Sequence, residues 1–179
     1  IIGPGKTTLT YKEKILKFIK KNKPTVFALN AIYPIPRKFI NAHIVCHPLR
    51  LLSDINKYKK FNNHLITPYS SFSKNIKLKI PSKNILDFGL QVKNKRFKFE
   101  KNYAVLPNSL AISYALGVCT SGESKKIFLA GLDGYTENSP KKFEMDELFQ
   151  NYKLENKAKS LQSLTPTNYK LKVLKKING

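Results

Sequence analysis

The sequence has little cysteine, histidine, arginine or acid, and each shortage closes off a class of function. Its two cysteines, Cys46 and Cys119, stand far apart with no second cysteine near either. That spacing excludes a metal knuckle or a redox pair and points to two buried free thiols. The three histidines fall into no Ser-His-Asp order and no metal-ligand cluster, and no paired-carboxylate motif stands out, so no metal site is expected. Of 33 lysines and arginines only Arg37, Arg50 and Arg96 are arginine, set against 11 acidic residues. The formal charge of +22 would ordinarily suggest nucleic acid. Base reading and bidentate phosphate clamping favour arginine, however, and no zinc spacing, recognition helix or aromatic RNA-binding motif is present, so no specific nucleic-acid partner is expected. Lysines scattered among asparagine and isoleucine read as solvated faces. No run of 18 apolar residues and no signal-peptide pattern occurs, so the chain is expected to lack a transmembrane segment and to be cytoplasmic.

What is present suits one α/β domain over residues 1–179: 41% of residues are hydrophobic, enough to close a core. Short apolar runs alternate with helical patterns, the mark of a mainly parallel sheet with helices on both faces, a Rossmann-like arrangement. Ile1-Ile2 reads as the end of a buried strand, which makes the chain look like part of something longer. Thr10 is expected to cap a helix with Ile15, Leu16, Phe18 and Ile19 on one face, stopped by Pro24. Strands are expected over 25–29, 42–46, 64–67 and 126–131, with a further one over 161–165. Helices are expected over about 49–58, from the Asn108-Ser109 start to Gly117, and over 141–160. Residues 69–102 match no period and read as an irregular insertion, although Phe97 and Phe99 alternate like a hairpin strand.

The sharpest motif is Gly3-Pro4-Gly5-Lys6-Thr7-Thr8, between a strand end and a helix. Glycines there permit a tight turn and close approach of a ligand, and the amides beyond suit phosphate. Lys6-Thr7 imitates the end of a P-loop, but its first glycine would precede residue 1, and Ile1 and Ile2 read as strand. In open α/β sheets ligands collect outside the carboxyl ends of the strands. That rule gathers the glycine turn, Asn30, the Asn108-Ser109 helix start, and Asp133 with Tyr135 onto one rim. Asp133 and Tyr135 are expected to hold ribose or sugar hydroxyls, clear of the phosphates, and Asn30 a base or ribose edge. His47, before Pro48, is a rim candidate for catalysis, as is Tyr135, while Arg50 is a candidate clamp for a substrate phosphate or carboxylate. His43 reads as packed in its strand, and Glu144, Asp146 and Glu147 as a solvated helix face.

The succession Ile-Ile-Gly-Pro-Gly, Ala-Leu-Asn, Lys-Lys-Ile-Phe-Leu-Ala-Gly-Leu-Asp-Gly-Tyr and Leu164-Thr165-Pro166-Thr167-Asn168-Tyr169 resembles the C-terminal domain of aldolase-like proteins, of the hydroxymethylglutaryl-CoA-lyase type, from bacterial surface-polysaccharide gene clusters. Its earlier part also resembles the fold shared by bacterial CMP-sialic-acid sialyltransferases and motility-accessory-factor proteins. The resemblance implies CMP or a CMP-sugar as ligand, bound along the rim already named, and a catalytic domain preceding Ile1. The turn departs from the sialyltransferase pattern, with Pro-Gly-Lys-Thr in place of Asn-Gly-Pro-Ser. Three functions are therefore expected: a nucleotide or nucleotide-sugar binding domain of a polysaccharide-biosynthesis enzyme, a CMP-sugar-dependent glycosyltransferase, or a non-catalytic interaction module.

Overall fold

A computed structural model describes residues 1–31, 34–77 and 84–174. Its centre is the opening segment. Ile2 bridges Ala28 on one side and Ala130 on the other, both in parallel sense. The flanking hydrogen bonds run from Ile2 N–H to Phe27 O at 2.8 Å and from Gly3 N–H to Ala130 O at 2.7 Å. On the first side lie β1 (Phe27–Leu29), β2 (Ala42–Ile44), β3 (His64–Thr67) and β4 (Ile85–Asp87), in that order and all parallel. On the other side, three later strands pair in parallel, in the order β8 (Lys126–Leu129), β9 (Ser160–Ser163) and β10 (Lys172–Val173). Strand order thus runs outward in one direction from Ile2 through β4, then resumes on the opposite side of Ile2 with β8.

Strand periodicity decides which residues meet which helix, because neighbours along a strand face opposite ways. Ala42, Ile44 and Ile66 join the main core with Ile112, Ala115 and Leu116 of α6 (Ala111–Ser121), whereas Val45 and Leu65 join a second cluster with Leu51 and Tyr58. Leu51 and Tyr58 belong to α3 (Pro48–Ser53) and α4 (Ile55–Tyr58), so β2 and β3 carry helices on both faces. Ile15, Leu16, Phe18 and Ile19 of α2 (Lys12–Asn22) are buried together, as their spacing predicts. Lys23 ends that helix in the left-handed region, φ 45°, ahead of Pro24.

Several boundaries differ from the sequence reading: the strands expected over 25–29, 42–46, 126–131 and 161–165 span 27–29, 42–44, 126–129 and 160–163, and the helix expected over 49–58 is divided at Asp54 into α3 and α4. The first helix starts before Thr10: α1 (Thr7–Thr10) follows the glycine turn directly, and the Thr10 hydroxyl bonds back to Lys6 O at 3.3 Å instead of capping. Helix α6 runs through Gly117 to Ser121, because a Cβ at Gly117 would stand 2.9 Å from the Ala104 Cβ and glycine lets helix and strand approach. Helix α7 (Pro140–Lys153) stops seven residues short of 160, where Tyr152 turns inward and its hydroxyl accepts from Lys159 N–H at 3.0 Å.

The stretch 69–102 is not an irregular insertion. It supplies α5 (Lys74–Lys77), the sheet-edge strand β4, and two strands of a second small sheet, β5 (Gly89–Val92) and β6 (Lys98–Phe99). Both pair with β7 (Tyr103–Leu106), β5 in parallel and β6 antiparallel, the latter agreeing with the hairpin alternation of Phe97 and Phe99. Its period was masked by edge positions: β4 buries none of its three residues and β5 none of its four. Residues 78–83 of this stretch lie outside the described residues.

Candidate functional site

The reversal of strand order at Ile2 sets the opening turn beside the loop that follows β8. Gly5 N–H donates to Gly131 O at 2.8 Å, and Gly131 itself adopts φ +67°. From this loop Asp133 reaches across to α1: its carboxylate accepts from Thr7 N–H at 3.1 Å and, through the other oxygen, from the Thr7 hydroxyl. Thr165, fully buried just past β9, completes the set. Its oxygen accepts from Gly131 N–H at 3.0 Å and lies 3.2 Å from the Thr7 oxygen. A hydroxyl has one proton to give. With the Thr7 proton on Asp133, the Thr165 proton points to Thr7, and a directed chain runs from Gly131 N–H through Thr165 and Thr7 to the carboxylate. Thr8 locks the turn from below, donating to Gly3 O at 2.8 Å from a fully buried position.

Asp133 therefore shares the edge of the glycine turn, but not at the distance expected. The sequence reading set it clear of any phosphate, whereas the carboxylate itself sits on the first helical amide, where an anion would bind. The tightness of Gly5 has the same origin. A Cβ there would run into the Asp133 carboxylate and stand 2.6 Å from Gly131 O, so the chain's own loop accounts for the glycine. Pro4 and Lys6 are the outward residues of the turn, the proline exposed and the lysine exposed.

Asn30 ends β1 in the left-handed region, φ 59°, with its carbonyl 2.8 Å from His43 Nδ1. Asn108 acts at the start of α6: its side-chain oxygen accepts from Leu110 N–H at 3.3 Å and from the Ser113 hydroxyl. Ser109 O accepts from the Cys46 thiol at 3.1 Å, which holds the start of α6 against the end of β2. Tyr135 is 43% exposed, with Lys141 Nζ 5.7 Å from its ring centroid. His47 is exposed at the start of α3. Arg50 is engaged with Asp54 at 3.3 Å, an intrahelical pair rather than a free clamp.

Acids on α7 separate on inspection. Glu147 is exposed and pairs with Lys95 at 3.7 Å, and Glu144 accepts from Asn108 at 3.4 Å. Asp146 is not a solvated-face residue: its side chain is 19% exposed and takes the buried Lys142 ammonium at 2.7 Å. Burial pushes the Tyr169 phenol up to about 12, with Tyr135, Asp146 and Asp133 adding in the same direction, so near neutrality it stays protonated and does not act as a base.

No family model, curated protein or solved structure matches the chain. The site is therefore described by its own chemistry: one carboxylate, two threonine hydroxyls and a glycine-lined backbone turn at a strand-order reversal. Among the described residues no group of three or more His, Cys, Asp or Glu could hold a metal ion, and no helix is long and apolar enough to cross a membrane. The two thiols are free and buried, each pushed up to about 11 by that burial. Thr165 is the residue that sequence reasoning missed, and Thr8 stood in the glycine-turn motif without a role of its own. Thr165 lay inside an expected strand over 161–165, and because β9 ends at Ser163 the rule that selects residues after strand ends reaches it.

Proposed function

We propose that this chain is a Rossmann-like domain that binds a nucleotide or nucleotide-sugar, CMP or a CMP-sugar, within an enzyme of bacterial surface-polysaccharide biosynthesis (lipopolysaccharide, capsule or a sialic-acid-type sugar). One observation carries the reading: the glycine turn, Asp133 and Thr165 converge where strand order reverses around Ile2. Such reversals open a crevice at the carboxyl edge of a parallel sheet, and ligands collect there. The Asp133 lone pairs not used by Thr7 accept hydrogen bonds from ribose or sugar hydroxyls. Lys6, exposed beside them, meets the phosphates, and the rim position of Asn30 suits a base or ribose edge. Phosphate and Asp133 cannot share the Thr7 amide, so on this reading the phosphates lie outside the turn.

Titrating CMP and a CMP-sugar into the wild type and Asp133→Asn, with melting curves for both, tests the proposal. Saturable binding is expected, weakened roughly tenfold or more by the substitution through loss of the charge-assisted bonds. Tighter binding in Asp133→Asn would move the phosphate onto the Thr7 amide. Absence of saturable binding to the wild type would end the nucleotide reading. That last outcome favours a second reading, an interaction module with a purely structural turn, for which the fit of Gly5 against Asp133 is the supporting observation.

A further inference from the structure

At the end of the seam away from the glycine turn, β1 and β8 form two sides of an apolar groove of about 860 Å³. Its walls include Ile15, Phe18 and Ile19 of α2 with Val118 and Cys119 of α6. Because Ile2 bridges both strands, they stand two strand spacings apart, roughly 9.5 Å. The groove is therefore one strand wide, with residues 25–27 along one side and 126–128 along the other.

Both sides turn backbone groups towards it. Phe27 O accepts from Ile2 N–H at 2.8 Å, and Phe128 O accepts from the Ile1 nitrogen at 2.7 Å. In a strand the N–H and C=O of one residue point to the same side, so the Phe27 and Phe128 amides face the groove too. Among the described residues neither amide has a backbone partner there. The register beyond them is already set: Ile2 O takes Leu29 N–H at 2.9 Å on one side, and Ile1 O takes Ala130 N–H at 3.0 Å on the other. Carried back by two residues, the same ladder sets one carbonyl on Phe27 N–H and the next on Phe128 N–H. The Ile1 nitrogen makes the single bond of a strand amide, and burial lowers its proton affinity, with Cys119 opposing. Its surroundings thus disfavour a charge that an amide does not carry.

We propose that this groove is a strand site, filled by an extended apolar segment of about three residues joined to the Ile1 nitrogen, which lengthens the central strand in parallel between β1 and β8. Its carbonyls satisfy the Phe27 and Phe128 amides, and its side chains cover the exposed flanks of α2 and α6. Central strands of parallel sheets are apolar throughout, which sets the chemistry of the segment. The site is independent of the nucleotide reading, because the glycine turn lies at the other end of the same strand.

The test compares the whole chain beginning at Ile1 with two versions that carry added residues before it, Lys-Thr-Val-Ile-Val in one and Gly-Ser-Gly-Ser-Gly in the other. Amide hydrogen exchange and melting curves are measured for all of them. In the apolar version the Phe27 and Phe128 amides are expected to exchange at least about tenfold more slowly than in the other two, with a higher melting temperature. NMR contacts from these two amides to α-protons of the added residues are expected as well, a reading that stands even if a comparison version does not fold. Equal exchange of both amides in the apolar and glycine-serine versions would overturn the proposal. So would absence of those contacts in the folded apolar version, or an apolar version that melts lower than the chain beginning at Ile1 or fails to fold where another version folds.

Discussion

Gly5 is wedged between a carboxylate and a carbonyl of the same loop, which fixes what a side chain there would do. Gly5→Ala puts a methyl group where Asp133 and Gly131 O already stand, and should cost about 1–3 kcal/mol in denaturant unfolding. Because the effect is on folding, substitution at Gly5 cannot serve as a clean probe of ligand binding, whereas Asp133→Asn keeps the shape. His43 makes a pH prediction. Burial is the main cause that lowers its proton affinity, Arg37 adds to it, and the hydrogen bond to Asn30 opposes both. With the folded value below the unfolded one of about 6.5, the unfolded chain takes the proton first as pH falls. Stability from this residue is therefore complete above that value and is lost on acidification towards the folded value. Unfolding curves at about pH 7.5 and 5.5 should show a larger drop for the wild type than for His43→Gln. At this scale the sequence marked Asp133 and the glycine turn as neighbours but did not show what the candidate residues bond. Asn108, Asp133 and Arg50 look like ligands in a string of letters because their partners, Ser113, Thr7 and Asp54, are set by turn geometry, by a contact 126 residues distant and by one helical turn.

Helix α6 lies on β7 with Gly117 facing Ala104, and the two small residues set the separation of the layers. Gly117→Leu should therefore destabilise by about 1–3 kcal/mol despite the gain in helix propensity, and Gly117→Ala by less, which thermal melts of the two variants will order. Elements such as α2, α6 and β3 were legible because each buries one face or run completely, so that period and burial agree. The second sheet was not. Its parallel pair β5 and β7 is joined by β6 instead of a crossover helix, and its outer residues are exposed, so neither period nor spacing marks it. Ends drifted for a related reason: α7 stops where Tyr152 finds Thr120 at 2.7 Å and Lys159, partners that no local pattern encodes.

Over the whole molecule, 33 basic residues against 11 acidic ones produce a field that attracts any polyanion. With scattered lysines and three arginines, of which Arg50 is paired with Asp54, DNA or RNA should bind weakly, without sequence preference, and should be released as salt rises through the physiological range. Fluorescence anisotropy with two unrelated duplexes checks this, and submicromolar preference for one of them at physiological salt would refute it. The same architecture has a kinetic consequence. The seam at Ile2 joins strands from two distant stretches, since Ile2 N–H bonds Phe27 whereas Gly3 N–H bonds Ala130, 127 residues away. Closing so long a loop is slow and comes after nearer pairings. Each half of the sheet can then organise before the two are zipped together, and the Gly3 amide reports the zipping. In hydrogen exchange its protection should fall away at a lower denaturant concentration than that of amides within β2 and β3 if the halves part first, and together with them if the sheet opens as one unit.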